Sequence, residues 1–439
     1  MEESKMRTLV VYSFHQVNSN LAFFRKKAIS SQIFPQERFV SLLCQPGEMQ
    51  RKLSLINPDN YDRYIFLSSS LCGPFLPLWY TGTKTWMDVL TERLDKDHLL
   101  QCSFPPQSGL DMVYATNREG FLLGLEPFSL NKIQEFAQRV QDAGFQVSVT
   151  CKDTSPHPYE AIFVKDVNPM YPLWHDTSKV SKNHLEENSK ILVCYTFHQY
   201  NDNVKYFIKH GYLKHDRIDF IFIVNGRIDN LPQLPGRVIQ RENKGHDFGA
   251  WARAIYEDCN FEKYDYFVFA NSSVRGPFLP AWCEQNWVEV YCAHLSSEIG
   301  LVGSSVTASK EVKGKYFIQS YAYAMNRAAL FFLLQKGFYN IDFAGMSKVQ
   351  LIIHCEEQMS YILESTDMGI KPLHSSHHHR DFLISPFAES YDLCFNPAHL
   401  RNNYYGMHIH PFEFIFLKYN DNNQHQNQEV EYYTRLYLE

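Results

Sequence analysis

The sequence predicts an α/β protein made of two tandem copies of one mostly parallel sheet flanked by helices. Strand-like apolar runs alternate with helical segments, the pattern of successive β-α-β units. Three sequence blocks recur in the same order, and 439 residues suit two domains better than one. The chain is 45% hydrophobic and 15% aromatic, with 33 Phe and 27 Tyr, so either half can fill a core, and disordered and low-complexity classes are excluded.

The first block is "YSFHQVNSNLAFF" (12–24) against "YTFHQYNDNVKYF" (195–207), with seven identical positions. "YDRYIFLSSSLCGPFLPLW" (61–79) matches "YDYFVFANSSVRGPFLPAW" (264–282), and "HPYEAIFVK" (157–165) matches "HPFEFIFLK" (410–418). Three ordered matches imply an internal duplication. The separation between partners grows from block to block, so the second copy is longer in two places. One excess coincides with "NKGHDFGAWARAI", where the first copy has "CQPGEMQRKLSLI"; the other falls in the region of "MSKVQLIIHCEEQMSYILEST". The predicted organisation is a degenerate domain over 1–170, a polar, unpatterned linker over 171–189, a complete domain over 190–420 and a tail over 421–439 that is either loose or a short packing helix.

In the second copy "KILVCYTF" reads as a strand and "NDNVKYFIKHGYL" as a helix with Asn201 or Asp202 at its N-cap. "RIDFIFIVNG" and "GRVIQ" follow as strands, "HDFGAWARAIYED" as a helix and "YDYFVFA" as a strand running into "NSSVRGP". "GLVGSSV" and "SYAYAMN" come next, then helices over "RAALFFLLQKGF" and over 347–365, and a final strand "FEFIFLK".

A formal charge of −6 without long Lys/Arg runs gives no basic face for a nucleic acid, which excludes that partner class. None of the 10 cysteines stands in a Cys-x-x-Cys pair, and several, such as Cys44 and Cys194, lie in strand-like runs. They read as buried free thiols of a reducing compartment. The N-terminus has no apolar leader and no run reaches about 18 apolar residues, so the expectation is a cytoplasmic protein without a transmembrane segment. The oligomeric state is left open.

Ligands of open α/β sheets bind beyond the carboxyl ends of the strands. In the second copy those turns read Thr196-Phe197-His198, Asn225-Gly226, Asn243-Lys244-Gly245-His246-Asp247 and Asn271-Ser272-Ser273-Val274-Arg275-Gly276. A glycine-containing turn that opens a helix offers free N–H groups and the positive dipole end to a phosphate, and Lys244 and Arg275 could add charge for a diphosphate. On spacing alone, Gly245 and Gly249 are equally compatible with turn geometry and close packing.

"ENKGHDFGAW" followed by "YDYFVFANSSVRGP" resembles the GT-A glycosyltransferases, in particular the rhamnan-synthesis F-like and related algal and large-virus sugar transferases. An N-[KR]-G-x-D-x-G turn, an F-x-N-x-S-x-R-G-P strand end, a Q-S-Y segment and a terminal HP-[YF]-E-x-x-F-x-K block recur there; here they are Asn243 to Gly249, Phe269 to Pro277, Gln319 to Tyr321, and His410 to Lys418. The resemblance implies tandem GT-A-like, Rossmann-like domains and a UDP-, GDP- or dTDP-sugar at the turns, with Asn243, Lys244, Gly245 and Asp247 near the ribose, diphosphate or donor sugar. It implies a glycan or oligosaccharide acceptor, with Gln319, Ser320, Tyr321 and His377 on that side. Where many GT-A enzymes carry Asp-x-Asp for Mn²⁺ or Mg²⁺, this chain has Asn271-Ser272-Ser273. Leaving-group stabilisation then falls to Lys244 and Arg275, and any metal is held weakly through Asp247, His408 or His410.

Inverting transfer needs a carboxylate to accept the proton of the acceptor hydroxyl. On the helix over 347–365, Val349, Ile352, Met359 and Leu363 form an apolar stripe that includes Glu356, and an inward carboxylate is costly unless paired or used. The resemblance matches it to an E-x-x-L-S helix, with Ser360 at the serine and Met359 in place of Leu. Glu356 is the candidate base and Glu357 the reserve; an ion-paired structural glutamate is the alternative.

"HSSHHHRD" (374–381) invites zinc, but no Cys or carboxylate stands at ligand spacing, and it reads as an acceptor-facing loop. His157 and His410, shared by the copies, read as structural. The function expected is transfer of a sugar from a nucleotide donor to a glycan hydroxyl. The rivals are an inactive carbohydrate-binding or scaffolding protein and a GT-B-like two-lobed transferase.

Overall fold

The structure, a computed structural model, describes residues 6–14, 18–25, 28, 39–45, 48–77, 79–103, 113–125, 133–149, 185–258, 260–308, 316–339, 345–366, 368–374, 411–419 and 424–438. The chain forms two compact units, one of Met1–Leu76 with Thr83–Pro172 and one of Pro77–Gly82 with Leu173–Glu439.

The first unit holds strands β1 (Thr8–Ser13), β2 (Phe39–Cys44), β3 (Arg63–Ser68), β4 (His98–Cys102), β5 (Tyr114–Asn117) and β6 (Gln146–Val149). They form one sheet in the order β2-β1-β3-β5-β4-β6. Only β5 runs against the rest. Leu9, Val11, Tyr64, Phe66, Leu100, Phe121 and Phe136 belong to its core.

The second unit holds β7 (Ile191–Phe197), β8 (Ile218–Asn225), β9 (Arg237–Arg241), β10 (Tyr266–Asn271), β11 (Val274–Arg275), β12 (Ile299–Gly303), β13 (Val306–Ala308), β14 (Tyr316–Ile318), β15 (Ala322–Asn326), β16 (Gly369–Pro372) and β17 (Leu417–Lys418). Seven of these make one sheet in the order β16-β12-β15-β10-β7-β8-β9, with β15 reversed. β7 is buried along its whole length, as is β8 apart from Asp219, which explains their unbroken apolar runs: a parallel sheet is covered on both faces. Trp251, Phe269 and Tyr323 stack edge and face at the centre of the core.

Read from β2 and from β8, the two sheets have the same strand order and directions, and the second adds β9 beyond β8. Local chemistry agrees at matching places. Asn18 and Asn201 cap the helices after β1 and β7. Asn20 Nδ2 donates to the Ser69 carbonyl oxygen at 3.0 Å, and Asn203 Nδ2 to that of Ser272 at 2.9 Å. Thr85 with Asp88, and Asn286 with Glu289, form reciprocal capping boxes.

Two expectations change. The final strand is a helical turn, Pro411–Phe414, followed by the two residues of β17, which pair antiparallel with β11 in a separate ribbon. Ile415 takes a left-handed φ of +63° between them, and Phe412, Phe414, Ile415 and Phe416 are all buried, so the run lacks the period of two that a half-covered strand needs. The helix after Ser347 buries Leu351, Cys355, Met359 and Leu363, while Val349 is 64% and Ile352 37% exposed. Ile352–Glu357 is π-helical, and its wider turns shift the phase of the face that a regular 3.6-residue repeat predicts. Of the two forms expected for the tail, Gln424–Leu438 takes the helical one and packs through buried Val430 and Thr434.

That C-terminal helix is tied to Arg275, whose side chain is 2% exposed. Arg275 donates to Asn203 Oδ1 at 3.0 Å, to Glu431 Oε1 at 2.5 Å and to Thr434 Oγ1 at 3.3 Å, and lies 4.2 Å from the centroid of the Tyr419 ring. Glu431→Ala should cost about 2 kcal/mol in denaturant unfolding, less than a wholly buried pair because Glu431 is one-third exposed, and Glu431→Gln less than that.

Candidate functional site

The turn between β9 and the helix His246–Arg253 is clasped by its neighbours. Arg241 donates to Asn225 Oδ1 at 2.6 Å and to the Lys244 carbonyl oxygen at 2.5 Å, and Asn225 Nδ2 donates to the His246 carbonyl oxygen at 3.1 Å. Gly245 and His246 both take left-handed backbone, with φ of +73° and +47°. A histidine there carries strain of order 1 kcal/mol, a cost that gathers at functional sites. Gly249 is required by close approach, because a Cβ would stand 2.2 Å from the Lys244 carbonyl oxygen. Gly245 at its N-cap offers no side chain, and among the described residues nothing accepts from the N–H groups of the first turn.

Asp247, in that first turn, accepts a hydrogen bond from Asn271 Nδ2 at 2.8 Å. Asn271 Oδ1 accepts from the Ser273 N–H at 3.0 Å and from Ser273 Oγ at 2.5 Å, and Ser273 Oγ accepts from Lys418 Nζ at 2.8 Å. One directed chain of donors thus runs from Lys418 through Ser273 and Asn271 to Asp247. The Lys418 ammonium lies 5.1 Å from the centroid of the Tyr321 ring. Tyr321 is held by its hydroxyl, 3.0 Å from Ser305 Oγ, which in turn donates to Gln319 Oε1 at 2.5 Å. The adjacent Ser320 N–H donates to Glu356 Oε1 at 2.6 Å. Ser360, one turn beyond Glu356, anchors the helix to β14 by accepting from the Ile318 N–H at 3.0 Å.

Burial pushes the Asp247 carboxyl above its usual range, opposed chiefly by Lys418, then by His246, His198 and the Asn271 hydrogen bond. Burial likewise pushes Lys418 down, opposed by the charges of Glu356 and Asp247 and reinforced by Lys348. The two carboxylates therefore share one desolvated ammonium.

The structure brings together Asp247, Asn271, Ser273, Ser320, Tyr321 and Glu356 as candidate residues, beside the backbone of Gly245. It leaves others out. Arg275 is a correction: β11 pairs Val274 with Lys418 and Arg275 with Leu417, so Arg275 points to the face opposite Lys418, into its contacts with Asn203 and Glu431. The Lys244 side chain is 56% exposed and ion-paired to Glu242 at 2.8 Å. Asn243, His198 and His246 are exposed, the two histidines within electrostatic reach of Asp247. Thr196 and Ser272 are buried, and the Ser272 backbone is taken up by Thr196 and Asn203. Asn225 braces the turn, the Gln319 side chain is engaged by Ser305, and Glu357 is buried and accepts from the Tyr361 hydroxyl at 3.2 Å. His377, His408 and His410 lie outside the described residues.

Lys418 was missed as a site residue. Its signal was its place at the end of the repeated block, where the first copy has Lys165. Among the described residues no three His, Cys, Asp or Glu side chains converge to hold a metal, and no helix is long and apolar enough to cross a membrane. A cavity lined by Tyr206, His210, Phe278 and Trp287 shares no residue with this cluster. No family model matches the chain, and no curated protein matches it.

Gly249→Ala should lower unfolding stability by about 2 kcal/mol through the forced Cβ contact, whereas Gly337→Ala, whose Cβ would meet nothing within 4 Å, should show only the milder penalty of its φ of +71°. Equal losses in urea titrations would refute the close-approach explanation.

Proposed function

We propose that the second unit is a GT-A-type glycosyltransferase domain that moves a sugar from a nucleotide-sugar donor to a glycan hydroxyl, with inversion, and that the first unit is its degenerate duplicate. The observation that carries this proposal is the convergence of Asp247 and Glu356, one at an uncapped helix start and one on a facing helix, at the carboxyl ends of β7 and β10. The open N–H groups of the clasped turn receive the donor diphosphate. Asp247, held by Asn271, accepts hydrogen bonds from donor hydroxyls. Glu356, oriented by the Ser320 N–H, takes the proton of the acceptor hydroxyl while the hydroxyl oxygen bonds to the anomeric carbon and the bond from that carbon to the phosphate oxygen breaks. The nucleoside diphosphate leaves with the electron pair.

The shared strand order and caps of the two sheets support the duplication. Among the described residues β2 is the edge of the first sheet with no counterpart of β9 beyond it, and the sequence there has no counterpart of the glycine turn, which supports loss of donor binding by that copy.

Screening UDP-, GDP-, dTDP- and CMP-sugars by thermal shift and nucleotide release should single out one donor that stabilises the wild type and is slowly hydrolysed. Glu356→Gln should lower turnover by about 10²- to 10⁴-fold while keeping donor stabilisation. Donor binding without turnover in the wild type would instead make the domain a carbohydrate-binding protein.

Asp247→Asn separates stability from binding. Because the folded carboxyl sits above its unfolded value, this group contributes stability at low pH that is lost as pH rises through the folded pKa. At neutral pH the amide should therefore keep or raise the melting temperature and abolish donor stabilisation. A lower melting temperature with donor binding intact would contradict both parts.

A further inference from the structure

The chain Asp247, Asn271, Ser273 and Lys418 occupies the place where a divalent cation would meet a donor diphosphate, and it does not suit one. It offers one carboxylate, an amide whose oxygen already accepts twice from Ser273, a hydroxyl already bonded at both ends, and an ammonium that repels a cation. Hard divalent cations need several oxygen ligands, usually with more than one carboxylate.

Lys418 itself is a desolvated cation with an incomplete set of partners. Its one hydrogen bond among the described residues goes to Ser273 Oγ, and no described carboxylate lies within the 4.0 Å of an ion pair, although Glu356 and Asp247 both act on it electrostatically. An ammonium has three donors and is costly to bury without a counter-charge. It is carried on a two-residue strand locked to β11, and Ser273 and Asn271 link it by hydrogen bonds to Asp247 in the first turn of the helix that follows the clasped turn. A backbone anion cradle and a fixed, under-partnered ammonium together fit a diphosphate.

We propose that the Lys418 ammonium is the built-in counter-cation for the leaving diphosphate, so that donor binding and cleavage proceed without a divalent metal. This deepens the transferase proposal and rests on it. Lys418 stays protonated throughout: it meets the negative charge that grows on the bridging phosphate oxygen as the bond to the anomeric carbon breaks, while the acceptor proton goes to Glu356. Burial lowers the Lys418 pKa in the free protein, and a bound diphosphate raises it again, so binding at alkaline pH draws in a proton.

The test uses the full chain, treated with EDTA, and measures affinity for UDP, GDP and dTDP by calorimetry from pH 7 to 10, with and without Mn²⁺. The wild type should bind one of them equally well under both conditions. Lys418→Met should weaken binding by at least about 30-fold without lowering the melting temperature, since it removes a desolvated charge and keeps the apolar stem. Lys418→Arg should hold affinity to higher pH, because its guanidinium stays charged; this readout stands even where the Met variant fails to fold. Binding that requires Mn²⁺, with Lys418→Met equal to wild type, would overturn the Lys418 proposal and leave the transferase one intact. Failure of the wild type to bind any of the nucleotides, with or without Mn²⁺, would overturn both.

Discussion

The antiparallel pairing of Val274–Arg275 with Leu417–Lys418 is the contact on which the site depends. Two residues on each strand are enough to divide two cations between opposite faces. Arg275 turns into the molecule, where Asn203 and Glu431 engage two of its three nitrogens and tie in the C-terminal helix. Lys418 turns the other way, over Tyr321 and onto Ser273. A slip by one residue would put both cations on the same face and take Lys418 away from Ser273. The buried run Phe412 to Leu417 holds the register by fixing the approach of β17 with apolar packing rather than with more hydrogen bonds.

The clasped turn is built to a different logic. What it exposes is backbone N–H, and the side chains around it hold backbone in place. Arg241 and Asn225 grip carbonyl oxygens on either side of Gly245, and Gly249 lets the next turn of helix come within contact of Lys244. The left-handed His246 shows that the geometry is imposed from outside, since an isolated helix start would not choose it. Strain at the turn and unfavourable burial of Asp247 both lie at one place, which is where a stable fold tolerates them if a ligand is to be bound.

The first sheet shows the same scaffold without these parts. Its capping asparagines, its capping box and its strand order match those of the second, and it ends at β2 where the second continues to β9. Features common to both units are those that packing and helix capping require. Among the described residues, the turn and the strand that carries it are found only in the second unit, whereas the helix of Glu356 is a longer version of Ile133–Asp142, which precedes β6 as it precedes β16. The excess length of the second copy lies partly at β9 and its turn and partly between β15 and the last repeated block, where the helix of Glu356 is one contributor.

Local chemistry was legible in the sequence because it acts over a few residues. Alternating apolar runs placed β7, β8, β10, β12 and β15, Asn201 marked its helix, and the repeated blocks foretold two sheets of one pattern. The choice of Asp247, Asn271 and Glu356 also rested on the residues themselves, although Glu356 faces inward for a reason other than the one inferred: a π-helical segment rephases the helix, and the Ser320 N–H receives the carboxylate. What the sequence could not decide was which cation faces the site. Lys244 and Arg275 stand in the right motifs, yet the direction of a side chain on a two-residue strand depends on its partner more than one hundred residues away, and an exposed lysine takes whichever carboxylate is nearest. Only the tertiary pairing put Lys418 there. Propensity and capping are properties of neighbours in the chain, whereas the burial that strips water from a charge, and so decides what it must bind, is a property of the packed whole.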